Sequence, residues 1–243
     1  VSLSQEKLES VCMASLKELN NSSKRYVYRY FDNAVRGNTV VYPGEADAVV
    51  VAPIEGSFAG VVTSMDSNLF GEIDPYISGA YAVSEAVRNV IAVGGRPIAV
   101  TDCLNYGNPE VPSVFYDFDE GVRGIADACN ALGFIENESL PVISGNVSFY
   151  NESSTGTAVV PSPVVMVVGK MDDYRKALTM QVTAPHCELI VLGKRYSEFG
   201  GTRFAKLVSG LNKVAPQCRL EDEAKVNKLV HDLIQTQGLH ACH

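Results

Sequence analysis

The residues with chemistry to offer gather where two strand-like runs stop. In "AVTDCLNYGNP" an apolar stretch ends on Thr101 and Asp102, and Asn105 follows; in "PVISGNVSFYNE" another ends on Ser144, Gly145 and Asn146 before resuming through Val147 and Ser148. Asp is a hard oxygen ligand and an Asn carbonyl a neutral one, the kind of donors that Mg²⁺ accepts. Glycine lets the backbone approach a phosphate or a purine edge closely, and the Ser148 hydroxyl can bond a ligand oxygen. Singly these are ordinary turn residues. Two polar strand ends in succession point to a ligand site, because α/β architectures collect ligands beyond strand ends, where helix N-termini face anions.

Other candidates carry less. Asp66 in "TSMDSN" follows a strand, but an Asx turn accounts for it. Asp74 precedes Pro75 where a helix cap is expected. Glu85 and Arg88, at i and i+3, suit a surface or interdomain ion pair. "SEFGGT" lacks the Lys and Ser/Thr that follow the glycines of a phosphate loop. "HACH" lacks the accompanying ligands of a zinc site. Cys103 beside Asp102 reads as a small buried apolar residue, since the adjacent carboxylate opposes a thiolate.

The elements that must position these groups alternate. Helical spacing of Leu8, Val11, Cys12, Leu16 and Leu19 predicts a helix over residues 5–20. "NTVVYPGEADAVVVAP" and "FAGVVTSMD" read as strands broken at Pro and Gly turns. A helix is expected over 77–93, then the strand "RPIAVTDCL", the amphipathic helix "DEGVRGIADACNALG", the strand "LPVISGN" and a long strand in "TAVVPSPVVMVVGK". The pattern beyond Pro185 is a strand in "CELIVLGK", a helix start at "GGTRFAKLVSG" and a helix over 221–237. Strands alternating with helices define a mixed α and β class.

Composition sets outer limits. A formal net charge of -8 and a pI near 5.0 argue against a nucleic-acid surface, which needs clustered Lys and Arg. A phosphorylated ligand therefore needs local help from helix N-termini or bound Mg²⁺. The six cysteines show no CxxC spacing, and no signal peptide precedes them, which suits reduced thiols in a cytoplasmic protein. No apolar run reaches the ~20 residues of a membrane span. Both ends read as cut: the chain starts at Val1 and stops at "GLHACH", as an excised portion of a longer protein would.

The segments "YAVSEAVRNVIAVGGRPIAVTDCLNYGNPE", "GVRGIADACNALG", "PVISGNVSFYNE" and "VVPSPVVMVVGKMDD" together closely resemble the second half of the phosphoribosylformylglycinamidine synthase family, over about residues 29–201. The resemblance implies an α+β fold: an aminoimidazole-ribonucleotide-synthetase-like (AIR-synthetase-like) N-terminal domain over 39–175, preceded by a helix and linker over 1–38. A truncated C-terminal-type α/β domain over 184–243 would follow. It implies part of an ATP- and Mg²⁺-dependent carbon–nitrogen ligase of purine biosynthesis. Such enzymes convert formylglycinamide ribonucleotide to the amidine with ammonia that a separate glutaminase unit releases from glutamine. Position by position, Asp102 and Gly145 match ATP contacts, Asn146 a magnesium ligand and Ser148 a contact to the ribonucleotide. The family's catalytic His and most of its metal carboxylates belong to the first half, so no catalytic residue is assigned in this chain, which is expected to be inactive alone. The implied partners are that first half, a glutaminase subunit or domain, and possible homodimer contacts through the N-terminal-type domain. Two departures stand out. The loop Asp66-Ser67-Asn68-Leu69-Phe70-Gly71 lacks the family's Arg, and "FIENESLP" is longer than usual, as a surface excursion would be.

Two competing readings remain at this stage. One is a related enzyme of the same fold, an aminoimidazole ribonucleotide synthetase or a small-molecule kinase, which would usually carry a Gly- and Asp-rich loop near its N-terminus. The other is a non-catalytic half that binds nucleotide structurally or serves as a scaffold.

Overall fold

The structure, a computed structural model, describes residues 3–135, 137–208 and 214–243. In chain order the elements are α1 (Gln5–Leu16), α2 (Arg25–Tyr28), β1 (Thr39–Val41), β2 (Val49–Val51), β3 (Gly60–Asp66), α3 (Pro75–Ala92), β4 (Arg96–Asn105), α4 (Pro112–Ala131), β5 (Val142–Ser148), β6 (Ser162–Met171), α5 (Arg203–Leu207) and α6 (Leu220–Gln235). The six strands form one mixed sheet in the order β1-β2-β3-β6-β4-β5. Every neighbouring pair is antiparallel except β4 and β5, which run parallel. Parallel strands cannot be joined by a tight turn, and α4 supplies the crossover between them. The α+β class expected from the sequence is the one observed.

The alternation of strand side chains selects which face is the core. Val62 on β3, Val100 on β4, and Val165 and Val167 on β6 are fully buried, and they meet Val83, Val87, Val90 and Ile91 of α3. Asp74 opens α3 as expected, its carboxylate accepting from the Ile77 N–H at 3.0 Å, with Pro75 at the first helical position. Two glycines then let α3 and α4 touch backbone to backbone. A Cβ on Gly79 would run into the Gly121 carbonyl, and one on Gly124 into the Tyr76 carbonyl. The opposite face of the sheet carries Thr101 and Cys103 of β4, and Met65 of β3 lies 64% exposed there.

Several expectations are corrected. The first helix stops at Leu16 because Asn21 folds back and donates its amide to the Ser15 carbonyl at 2.7 Å. Helix α4 begins at Pro112, ahead of the expected start, taking in the aromatic run before Asp119. Residues 187–194 form no strand. No described strand lies beside them, so their β propensity finds no ladder to join, and Leu189 is 92% exposed. The segment "FIENESLP" is a surface excursion where described, with Ile135 half-exposed and Asn137 at φ 62°. Among the described residues no helix is long and apolar enough to cross a membrane.

Helix α6 lies against α3. Arg88 reaches Glu223 at 2.9 Å, and the Tyr81 hydroxyl donates to the Gln217 carbonyl at 3.2 Å. The i, i+3 spacing predicts a pair between Arg88 and Glu85; among the described residues Arg88 pairs instead with Glu223 on α6. Beyond α6, the His243 ring pairs with Asp47 at 2.8 Å.

Candidate functional site

The parallel pairing of β4 with β5 brings the two polar strand ends side by side. Asp102 stands opposite Gly145, Cys103 opposite Asn146 and Asn105 opposite Ser148. Strand β5 is the sheet edge, so its outer side is open to a ligand.

Asp102 shares the helix-side face of β4 with the buried Val100 and Leu104. Burial raises its carboxyl above the usual carboxylate range, because removing water disfavours the charge. Its carboxylate leans across to β5, where a Cβ on Gly145 would lie 2.9 Å from Asp102 Cγ and closer still to Oδ1. Glycine is required here to admit that side chain. Deeper on the same side, the Tyr106 hydroxyl is buried without a partner among the described residues. Burial pushes its pKa up, with Asp117 and Asp102 adding to the shift.

Asn146 and Ser148 project to the other face. Asn146 is exposed; its amide nitrogen donates to the Cys103 thiol at 3.4 Å, and its carbonyl oxygen has no hydrogen-bond partner among the described residues. Ser148 is partly buried and held by Asn151, whose amide reaches Ser148 Oγ at 3.1 Å, the Ser148 carbonyl at 2.8 Å and the Tyr106 carbonyl at 3.0 Å. The four expected site residues are therefore adjacent, but split: Asp102 and Gly145 on the helix side, Asn146 and Ser148 on the open side. A ligand meets both sets only by wrapping the β5 edge.

The residues fit a hard cation. The unengaged Asn146 oxygen is the neutral donor that Mg²⁺ accepts, and Mg²⁺ characteristically takes few protein ligands and fills its sphere with water and phosphate oxygens.

Sequence reasoning missed three features. Cys103 is half-exposed on the open face, not buried filler. Asn151, which clamps Ser148, gave no signal beyond its place in a polar turn. Asp66, read as an Asx-turn residue, instead sits against α3: its carboxylate accepts from Asn89 at 2.8 Å and from Ser64 at 3.2 Å. Burial and the nearby Glu85 carboxylate drive its pKa up to about 7. The i, i+4 spacing of Glu85 and Asn89 was the available signal, since it puts both on one helical face.

The remaining candidates have structural roles. Glu198 of "SEFGGT" binds Arg219 at 3.0 Å, and Thr202 caps α5 by accepting from the Ala205 N–H at 3.2 Å. A cleft of about 530 Å³ opens between the starts of α3 and α4, lined by Asp74, Tyr76, Asp117, Glu120 and Arg123 among others. It shares no lining residue with the strand-end site.

A mixed sheet backed by helices, with polar groups on one parallel strand pair at the sheet edge, defines an α+β domain. Residues 37–171 match the family described as AIR synthase related protein, N-terminal domain, and the chain belongs to that family. It is 45% identical over 242 residues to the phosphoribosylformylglycinamidine synthase subunit PurL of Methanothrix thermoacetophila, covering 98% of this chain and 31% of that protein. It is 41% identical over 234 residues to the subunit of the same name from Methanothermobacter thermautotrophicus, covering 95% and 31%. The chain thus spans about a third of the length of these relatives. Among solved structures it resembles Thermotoga maritima PurL complexed with ATP, at TM-score 0.54 and 32% identity over 65% of this chain and 24% of that one. It likewise resembles T. maritima PurL complexed with FGAR, at TM-score 0.54 and 31% identity over 65% and 24%.

Proposed function

We propose that this chain is part of an ATP-dependent ligase that converts formylglycinamide ribonucleotide and glutamine-derived ammonia to formylglycinamidine ribonucleotide. The carrying observation is the strand pair itself: Asp102 over Gly145, with the unengaged Asn146 oxygen and the clamped Ser148 on the adjoining face. The likeness to PurL proteins, including ones complexed with ATP and with FGAR, supports the assignment.

In this reading Asp102 and the Gly145 backbone bind ATP, Asn146 holds Mg²⁺ and Ser148 orients the ribonucleotide. Bound Mg²⁺ would neutralise charge on the phosphates. Asp102, whose carboxyl burial raises above the usual carboxylate range, offers oxygens that accept from a nucleotide amine or hydroxyl. Ser148 accepts from the Asn151 amide nitrogen at 3.1 Å and donates to the Asn151 oxygen at 3.3 Å, a long bond that a substrate oxygen would replace. Across the reaction the amide oxygen takes the phosphoryl group, ADP leaves, and ammonia displaces phosphate to form the amidine.

The AIR-synthetase-like domain over 39–175 and a further unit over 184–243 would work with the remaining part of the synthetase, with a glutaminase, and in the cytoplasm. Val61, Met65, Met166 and Val168 lie partly exposed on the open sheet face, which supports a paired domain or second copy covering it. In this reading the catalytic base lies in the first half of the synthetase, so the chain alone is expected to bind nucleotide without turnover. Calorimetry with ATP tests the reading: the protein should bind, and Asp102→Ala should weaken binding at least tenfold, about 1.4 kcal/mol. Equal affinity of the two proteins would refute it.

A further inference from the structure

The orientation of Asn146 is set by a hydrogen-bond chain that begins two strands away. On β6, the Ser162 carbonyl can only accept. Asn105 on β4 must therefore turn its amide nitrogen toward it, and does so at 3.1 Å while also donating to the Cys103 carbonyl at 3.0 Å. With its nitrogen committed, Asn105 presents its carbonyl oxygen to the Cys103 thiol at 3.8 Å. The thiol proton goes to that oxygen, leaving sulfur lone pairs as the acceptor for Asn146, whose amide nitrogen lies 3.4 Å away. The Asn105 amide nitrogen also lies 3.7 Å from the Cys103 sulfur, but its two protons are directed to the nearer Ser162 and Cys103 carbonyls. An Asn amide is nearly symmetric in shape, so without such a chain its oxygen and nitrogen would exchange places readily.

We infer that Cys103, directed by Asn105, is a positioning residue that fixes the Asn146 side chain with its carbonyl oxygen outward for the metal. This rests on the reading of Asn146 as a metal ligand and extends it to the groups behind. The cysteine itself need not touch metal or nucleotide. Outer partners of this kind are typically worth 10- to 100-fold in metal affinity.

The test uses the chain with ATP and Mg²⁺, comparing the wild type with Cys103→Ala, Cys103→Ser and Asn146→Ala. Binding of ATP in EDTA reports the nucleotide site without metal; titrating Mg²⁺ into the ATP complex reports the metal step. Cys103→Ala should leave the EDTA affinity unchanged and weaken the Mg²⁺ titration about tenfold. Cys103→Ser should restore most of that loss, since a hydroxyl also donates to Asn105 and accepts from Asn146. Mg²⁺ binding by Cys103→Ala equal to wild type, with Asn146→Ala impaired, would overturn the positioning role alone. Equal loss in the EDTA and Mg²⁺ arms would also overturn it, by showing a general structural defect. If Asn146→Ala itself binds Mg²⁺ normally, the metal-ligand reading fails and the inference falls with it.

Discussion

The Asp102 carboxylate occupies the space where a side chain at position 145 would lie, 2.9 Å from Cγ to the site of the absent Cβ. The pairing of β4 and β5 in parallel register creates this contact. Gly145→Ala should therefore displace Asp102 and cost roughly 1–3 kcal/mol, as overpacking of a close-packed site does. The double variant Asp102→Ala/Gly145→Ala should recover much of the stability and none of the nucleotide affinity. Denaturant unfolding and ATP calorimetry on the four proteins of that cycle separate the two effects.

Asp66 makes stability depend on pH. Its folded-state pKa of about 7 lies above the ordinary value of 3.8, so the folded protein holds this proton more tightly than the unfolded chain. The stabilisation is complete below pH about 4 and is lost as pH rises through about 7. The raised carboxyl of Asp102 acts in the same direction. Asp66→Asn should remove most of the decline in melting temperature between pH 4.5 and 7.5, where each kcal/mol is worth roughly 2–4 °C in a chain of this size. An unchanged slope in the variant would contradict the assignment.

The α3–α4 crossing depends on bare backbone. In an exposed helix, glycine to alanine gains up to about 1 kcal/mol of propensity. At Gly124 that gain should be outweighed, because the new methyl meets the Tyr76 carbonyl. Gly124→Ala is expected to lower unfolding free energy by about 1–3 kcal/mol, measured by chemical denaturation.

Asn151 holds Ser148 from behind. Asn151→Ala removes its bonds to Ser148 and to the Tyr106 carbonyl, costing on the order of 1 kcal/mol of stability. If the proposed ribonucleotide site is right, the full-length protein carrying this variant should show a larger rise in KM for the ribonucleotide than for ATP. Steady-state kinetics with each substrate varied in turn would show it.

Much of this was legible in the chain because it is local. The polar stops after "AVT" and "VIS", the Asp74 cap and the periodicity of α3 each depend on neighbours in sequence. What was hidden depends on pairing. Nothing near Cys103 announces that Asn146 will stand beside it, since that follows from the register of two strands separated by α4. Glu85 and Asn89 were visible as a shared helical face, but their meeting with Asp66 required β3 to pack beneath α3. The division of the site residues between two sheet faces also needed the register. Residues 187–194 show the converse: β propensity is local, whereas a strand requires a neighbour that this stretch lacks among the described residues.

In the proposed site Asn146 presents its oxygen to a nucleotide-bound cation. The most direct measurement is calorimetric titration of Mg²⁺ into the ATP-bound protein, for wild type and Asn146→Ala, with ATP affinity in EDTA as the reference. Affinities in EDTA should match, and Mg²⁺ binding in the variant should be at least tenfold weaker, about 1.4 kcal/mol. Superimposable Mg²⁺ titrations for the two proteins would contradict that role of Asn146.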